Sequence, residues 1–152
     1  MTPIPRSALI LGLAGLIPFL ASVATELSPP LSSWVVTTIG PRFVGPYMAL
    51  AYGTIILSFM SGVLWGFATK ATGQVAAYGY ALSVIPALWA FFFVGSGPVS
   101  SAIWLAFGFL LLIGLDIMFW QRGLAPPWWL RLRFVLTAGV VACLMVTAFI
   151  TG

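Results

Sequence analysis

Asp116 is the residue best placed to do chemistry in this chain: it is a carboxylate inside an apolar run, and Arg131 and Arg133 follow it across a turn. The stretch LDIMFWQRGLAPPWWLRLR, residues 115–133, holds four of the eight charges, which are six basic and two acidic. Asp116 precedes the expected helix end at Arg122 by about six residues, and Arg133 follows the expected helix start at Pro127 by about six. At about 1.5 Å rise per residue, an antiparallel hairpin carries both to a depth of roughly 9 Å. Each charge opposes its own helix macrodipole, with a carboxylate near a C-terminus and guanidiniums near an N-terminus, so pairing relieves both penalties. Arg131 and Arg133 lie about 200° apart around a helix. One of them is expected to meet Asp116, and the other to reach up to lipid headgroups.

This is an ion pair or polar focus, and it does not by itself specify a reaction. The chain has no histidine and one cysteine. Histidine-ligated haem, histidine acid-base catalysis and the common zinc and di-iron sites therefore lack their ligands. No catalytic residue, metal ligand set or cofactor site is expected, and the chain does not read as an enzyme. Cys143 cannot form an intrachain disulfide and sits deep in an apolar run, where it reads as a small packing residue.

The elements that must hold Asp116 follow from composition. Of 152 residues 62% are hydrophobic and 5% charged, against roughly 25% charged in soluble domains. Spans of about 20 apolar residues fit a bilayer. The sequence predicts an all-α, polytopic membrane helical bundle as a single domain. Its five transmembrane helices cover about residues 7–25, 46–69, 75–94, 99–120 and 127–150. Residues 26–45 contain two proline-bounded breaks, Pro29-Pro30 and Gly40-Pro41, around a segment too short to cross, so a short interfacial helix or extended strip is expected at 31–39 with Trp34 at headgroup level. The first apolar run also has the outline of a secretory signal, with Arg6 before it and Ser22-Val23-Ala24 after it, but is expected to remain as a helix.

Pro18 and Pro86 fall inside spans and are expected to kink them. Thr54, Ser58, Gly62 and Gly66 recur every four residues and form a candidate helix-packing face; Gly139, Cys143 and Thr147 repeat the pattern on the last helix. Five spans put Arg6, Lys70, Arg122, Arg131 and Arg133 on one side and only Arg42 on the other. By the positive-inside rule the N-terminus is then cytoplasmic and the C-terminus periplasmic. Arg122, Trp128 and Trp129 are expected against anionic lipid headgroups at the cytoplasmic face. The net charge of +4 is dispersed, so nucleic acid is not an expected partner.

The first helix, with Ala8, Leu11-Gly12, Gly15 and Ile17-Pro18-Phe19, resembles the start of an uncharacterised proteobacterial inner-membrane family that includes the mitochondrial transmembrane protein 69. Tyr52, Ile56-Leu57-Ser58-Phe59, Gly62 and Trp65-Gly66 resemble its most recognisable block. Asp116, Gly123-Leu124-Ala125-Pro126, Leu130-Arg131-Leu132-Arg133 and Leu136-Thr137 resemble its C-terminal block. The family often carries a polar residue, commonly histidine, before the tryptophan of the second block, where this chain has Leu64. Chemistry belonging to that side chain is then absent here. The resemblance implies a small multi-span protein of an energy-transducing inner membrane and supplies no established activity.

Three functions follow from these residues. The small-residue faces and the lack of catalytic groups point to a structural, assembly or regulatory partner of a larger membrane complex, or to a homo-oligomer. The alternative is a small oligomeric channel or transporter that uses Asp116 as an intramembrane carboxylate. A lipid- or quinone-headgroup enzyme built on Arg122, Arg131 and Arg133 lacks a nucleophile and base to accompany its anion-binding groups. An enclosed polar cavity reaching Asp116 would favour transport, and a dry bundle would favour the structural role.

Overall fold

Prolines divide this chain into helices and set where each begins. A computed structural model describes residues 2–152. It contains α1 (Arg6–Ala14), α2 (Ile17–Leu27), α3 (Pro29–Thr38), a 3-10 turn (Pro41–Phe43), α4 (Tyr47–Ala68), α5 (Gly73–Ser83), α6 (Ile85–Phe93), α7 (Pro98–Gln121) and α8 (Trp129–Thr151). Pro18, Pro29, Pro30, Pro86 and Pro98 all stand in the first turn of a helix, where a missing N–H costs no intrahelical bond. The expected kinks at Pro18 and Pro86 are therefore breaks just upstream: Gly15–Leu16 joins α1 to α2, and Val84 joins α5 to α6.

Counting each broken pair as one crossing gives five helices long and apolar enough to span a membrane: Arg6–Leu27, Tyr47–Ala68, Gly73–Phe93, Pro98–Gln121 and Trp129–Thr151. Their ends differ from the sequence spans by one or two residues. The chain is a multi-pass membrane protein. Between the first two spans, α3 is a helix rather than an extended strip; it buries Val35 and leaves Trp34 exposed.

A backbone group freed by a helix break has no water to turn to in a bilayer, so another part of the protein must satisfy it. At the α5–α6 break the hydroxyl of Ser61 on α4 accepts from the Ala87 N–H at 2.8 Å, while Ser83 donates to the Tyr80 carbonyl at 2.7 Å. Buried hydroxyls thus close the break from inside the bundle.

The core is centred on α7, which buries Ala102, Leu105, Ala106, Phe109, Leu112, Leu115 and Phe119 between α4, α6 and α8. Glycine makes two close helix approaches possible, of α7 to α4 and α6 and of α5 to α4. A Cβ on Gly108 would come within 2.7 Å of Leu57 and 2.8 Å of Trp89, and one on Gly79 within 2.9 Å of Ala68. The first span leans on α8, with Leu132 and Leu136 over Gly12, and Leu16 over Gly139. Large apolar side chains such as Phe91, Phe92 and Phe149 cover the outside, the arrangement expected where the solvent is lipid.

The four-residue ladder on α4 does not face the bundle. A residue turns about 100° around a helix, so each four-residue step drifts about 40°. Thr54 is half-buried at the edge of the packed face, whereas Ser58, Gly62 and Gly66 wind outward and are exposed. Nothing approaches within 4 Å of a Cβ placed on Gly62 or Gly66. The helix instead packs inward through Ala49, Gly53, Leu57, Ser61, Leu64 and Ala68. Gly108→Ala should therefore cost about 1–3 kcal/mol by overpacking, while Gly62→Ala should be neutral or stabilising by up to about 1 kcal/mol through helix propensity. Thermal unfolding of the two variants in the same detergent checks the contrast; equal losses would contradict this packing.

Candidate functional site

Two polar clusters lie within the spans, one near each end of the bundle. At the basic end, α7 stops at Gln121 and Gly123, with φ +72°, reverses the chain into the proline-rich turn. The Lys70 ammonium donates to the Leu124 carbonyl at 3.2 Å and fastens this turn to the end of α4. Trp129 and Arg133 are four residues apart on α8 and so share a face. Both point at Asp116, whose Oδ2 lies 2.9 Å from Arg133 Nε and whose Oδ1 accepts from Trp129 Nε1 at 2.8 Å. Asp116 has no exposed surface, and Arg133 is 5% exposed.

Of the two candidate arginines, Arg133 takes the carboxylate. Arg131 points away, is exposed, and donates to the Thr2 carbonyl. Arg122 is exposed at the end of α7, and Trp128 is half-buried beside Trp129. Trp129, expected at the headgroups, is half-buried, and its indole N–H is the second donor to Asp116. The spacing from Arg133 contained that signal, since position 129 falls one turn before it on the same stripe. Below the pair, Arg133 Nη2 and Thr137 Oγ1 are buried without protein partners.

The second cluster was not legible as a site from sequence. Glu26, near the end of α2, accepts from the Thr147 hydroxyl of α8 at 2.9 Å through Oε1, and its Oε2 is buried without a partner. Beside it Thr25 donates to the Ser22 carbonyl at 2.7 Å and accepts from the Gly45 N–H at 2.8 Å, while Ser22 Oγ accepts from the Ala49 N–H at 3.2 Å. These bonds join the end of α2 to the start of α4 and the end of α8. Gly45 is required, because a Cβ there would collide with the Glu26 side chain and lie 2.6 Å from the Ser22 carbonyl oxygen. The available signal was the spacing of Ser22, Thr25 and Glu26, at i, i+3 and i+4 on one helix face.

An apolar stretch of α8 separates the clusters. From Thr137 to Thr147 the buried face of α8 is Val140, Cys143 and Leu144, and the ten residues rise about 15 Å. Two grooves on the outer surface are lined mainly by apolar side chains, and neither includes Asp116 or Glu26. Among the described residues, no three histidine, cysteine or acidic side chains lie close enough to hold a metal ion. The arrangement ties α7 to α8 at one end and α2 to α8 at the other.

Comparison with known proteins agrees with the membrane fold. The family described as Protein of unknown function (DUF3429) matches residues 4–149. Transmembrane protein 69 of Xenopus tropicalis is 32% identical over 145 residues, covering 93% of this chain and 53% of the relative. The chain thus spans about half the length of that relative. No solved structure matches.

Removing one partner of a buried ion pair strands the other charge, which typically costs about 3–5 kcal/mol. Asp116→Asn and Arg133→Met should each destabilise by about that amount, and the double variant Asp116→Leu with Arg133→Met should be more stable than either single one. Trp129→Phe, which removes one donor to a charged acceptor, should cost about 1.5–3 kcal/mol. Unfolding in mild detergent measures all four; a double variant worse than both singles would contradict the pairing.

Proposed function

The chain belongs to the family of unknown function DUF3429, and from that premise we propose that it is a non-catalytic subunit-like membrane protein, a structural, assembly or regulatory partner of a larger membrane complex. The observation that carries this reading is the outer face of α4. Ser58, Gly62 and Gly66 leave a strip without bulk that no other helix of this chain covers. In lipid, helices associate through close packing at such small residues, because apolar surface alone gives little preference for protein over acyl chain. Gly53, Gly79 and Gly108 serve internal contacts, so the glycines of the outer strip are free for an external one. The occupant is a helix of another membrane protein or of a second copy.

The conduit reading draws less support. Both oxygens of Asp116 already have donors, and the layer of Val140, Cys143 and Leu144 interrupts any polar route along α8. A coupled carboxylate needs access to water from one side at a time, and an acid locked by an indole and a guanidinium is better suited to fixing α7 against α8. The basic end, with Arg6, Lys70, Arg122, Arg131 and Arg133, is assigned to the cytoplasmic side of a bacterial inner membrane by the positive-inside rule, with the C-terminus periplasmic.

Gentle affinity purification from the native membrane, followed by mass spectrometry, should recover a stoichiometric membrane partner or a homo-oligomer. The double variant Gly62→Leu with Gly66→Leu should reduce that recovery by about tenfold, the equivalent of roughly 1.4 kcal/mol, while leaving the melting temperature of the isolated chain unchanged. A native protein that always runs alone as a monomer would overturn the proposal.

A further inference from the structure

A groove of about 290 Å³ opens on the lipid-facing side between α5 and α7. Its origin lies in the packing of α5. Gly79 lets α5 settle against Ala68 of α4, and the break at Val84 ends α5 before it can follow α7 further. The space left over is walled by Val75, Tyr78 and Leu82 on one side and by Met118 and Phe119 on the other, with Arg122 at its basic end. Such a volume lies at the lower limit of roughly 300–1,000 Å³ for small-molecule pockets. One hydrocarbon chain suits it better than a compact polar ligand.

The charge at the mouth selects what that chain carries. Arg122 is exposed and makes no ion pair with any described residue. Asp116, the one acid at this end, already has donors on both oxygens, Arg133 and Trp129. Lys70 donates to the carbonyl of Leu124, a residue that also lines the groove, which brings a second cation to the turn at this end. One cation without a carboxylate, Arg122, therefore lines the apolar slot, and a second, Lys70, is bonded to the turn beside it.

We infer that this groove is a specific site for an anionic phospholipid, one acyl chain lying between α5 and α7 and the phosphate held by Arg122 with Lys70. Guanidinium and phosphate can form two parallel charge-assisted hydrogen bonds, so Arg122 fixes the headgroup while Lys70 adds a point charge. The site is separate from the outer strip of α4 and does not depend on the assembly role. A lipid there fills the gap left by the splayed α5 and ties it to α7 and the turn that carries Leu124.

The test uses the full chain, stripped of lipid in detergent and then offered phosphatidylglycerol or phosphatidylcholine at equal concentration, with native mass spectrometry counting what remains bound. Wild type should retain phosphatidylglycerol preferentially. Arg122→Gln should lower that retention roughly fivefold, and the double variant Arg122→Gln with Lys70→Gln should bring it to the phosphatidylcholine level. Arg122 is exposed, so Arg122→Gln should keep the helical circular dichroism and melting temperature of wild type and carries the test by itself; the double variant, which also frees the turn at Leu124, is read at a temperature where its circular dichroism matches wild type. Met118→Trp, which fills the slot, should lower retention of both lipids. Equal retention of the two lipids by wild type, or undiminished phosphatidylglycerol in the charge variants, would overturn the site; so would its displacement by excess inorganic phosphate, which would mean that a free anion is what the cations bind.

Discussion

The carboxylate of Asp116 has no contact with solvent, and its stability in that position depends on two donors from the next helix. An unpaired charge in hydrocarbon is costly, about 2.5–3.5 kcal/mol on insertion scales and more by other measures. Trp129 and Arg133 offset that cost only if α8 starts at the correct height and rotation beside α7. Both are set by the short reversal through Gly123 and Pro126–Pro127, which the Lys70 ammonium fastens at Leu124. A slip of α8 by one residue would rotate its donor stripe by about 100°. The ion pair thus acts on register more than on net stability, the role in which buried ionic groups are best attested.

The same accounting governs the rest of the bundle. Three places where the helical ladder is interrupted are bonded by a hydroxyl from a neighbouring element: Ser61 at the α5–α6 break, Ser22 and Thr25 where α4 begins, Ser101 at the Gly95 turn. These bonds replace water that a membrane does not supply. They also explain why serine and threonine are buried in a chain with so few charges. At the end opposite the basic residues, Glu26 and Thr147 join α2 to α8 as Asp116 and Arg133 join α7 to α8. The last helix is therefore clamped near both ends, with apolar packing between.

Residue spacing made the basic end legible and left the other end hidden. The depth of Asp116 and Arg133 could be counted because a single short turn separates them, and one residue of error at either end still leaves them close. Glu26 meets Thr147 across 121 positions of sequence, and no local pattern encodes a contact between the first and last spans. The type of Trp129 and its nearness to an interface point to headgroups, while its one-turn spacing from Arg133 puts it on the stripe that meets Asp116. The ladder on α4 was legible as a pattern of small residues but not in its direction. Spacing by four winds around the helix, so the same four residues start beside the bundle and finish facing lipid.

That winding bears on what the molecule is for. A glycine in lipid-exposed helix gives up packing surface and costs about 1 kcal/mol in helix propensity relative to alanine. At Gly53, Gly79 and Gly108 the structure shows what is gained in return, since a neighbouring side chain occupies the space of the missing Cβ. At Gly62 and Gly66 nothing in the chain does. Two consecutive rungs of one ladder carry this cost without an internal contact to offset it. Adjacent Ser58 extends the strip, and its hydroxyl turns back to the Thr54 carbonyl, leaving a smooth surface. A smooth, shallow strip with its polar atom already satisfied suits another helix and offers little to an ion, which would need free oxygen ligands. Under the proposed role, contact with a helix of a second membrane protein would supply the offset that the isolated chain lacks.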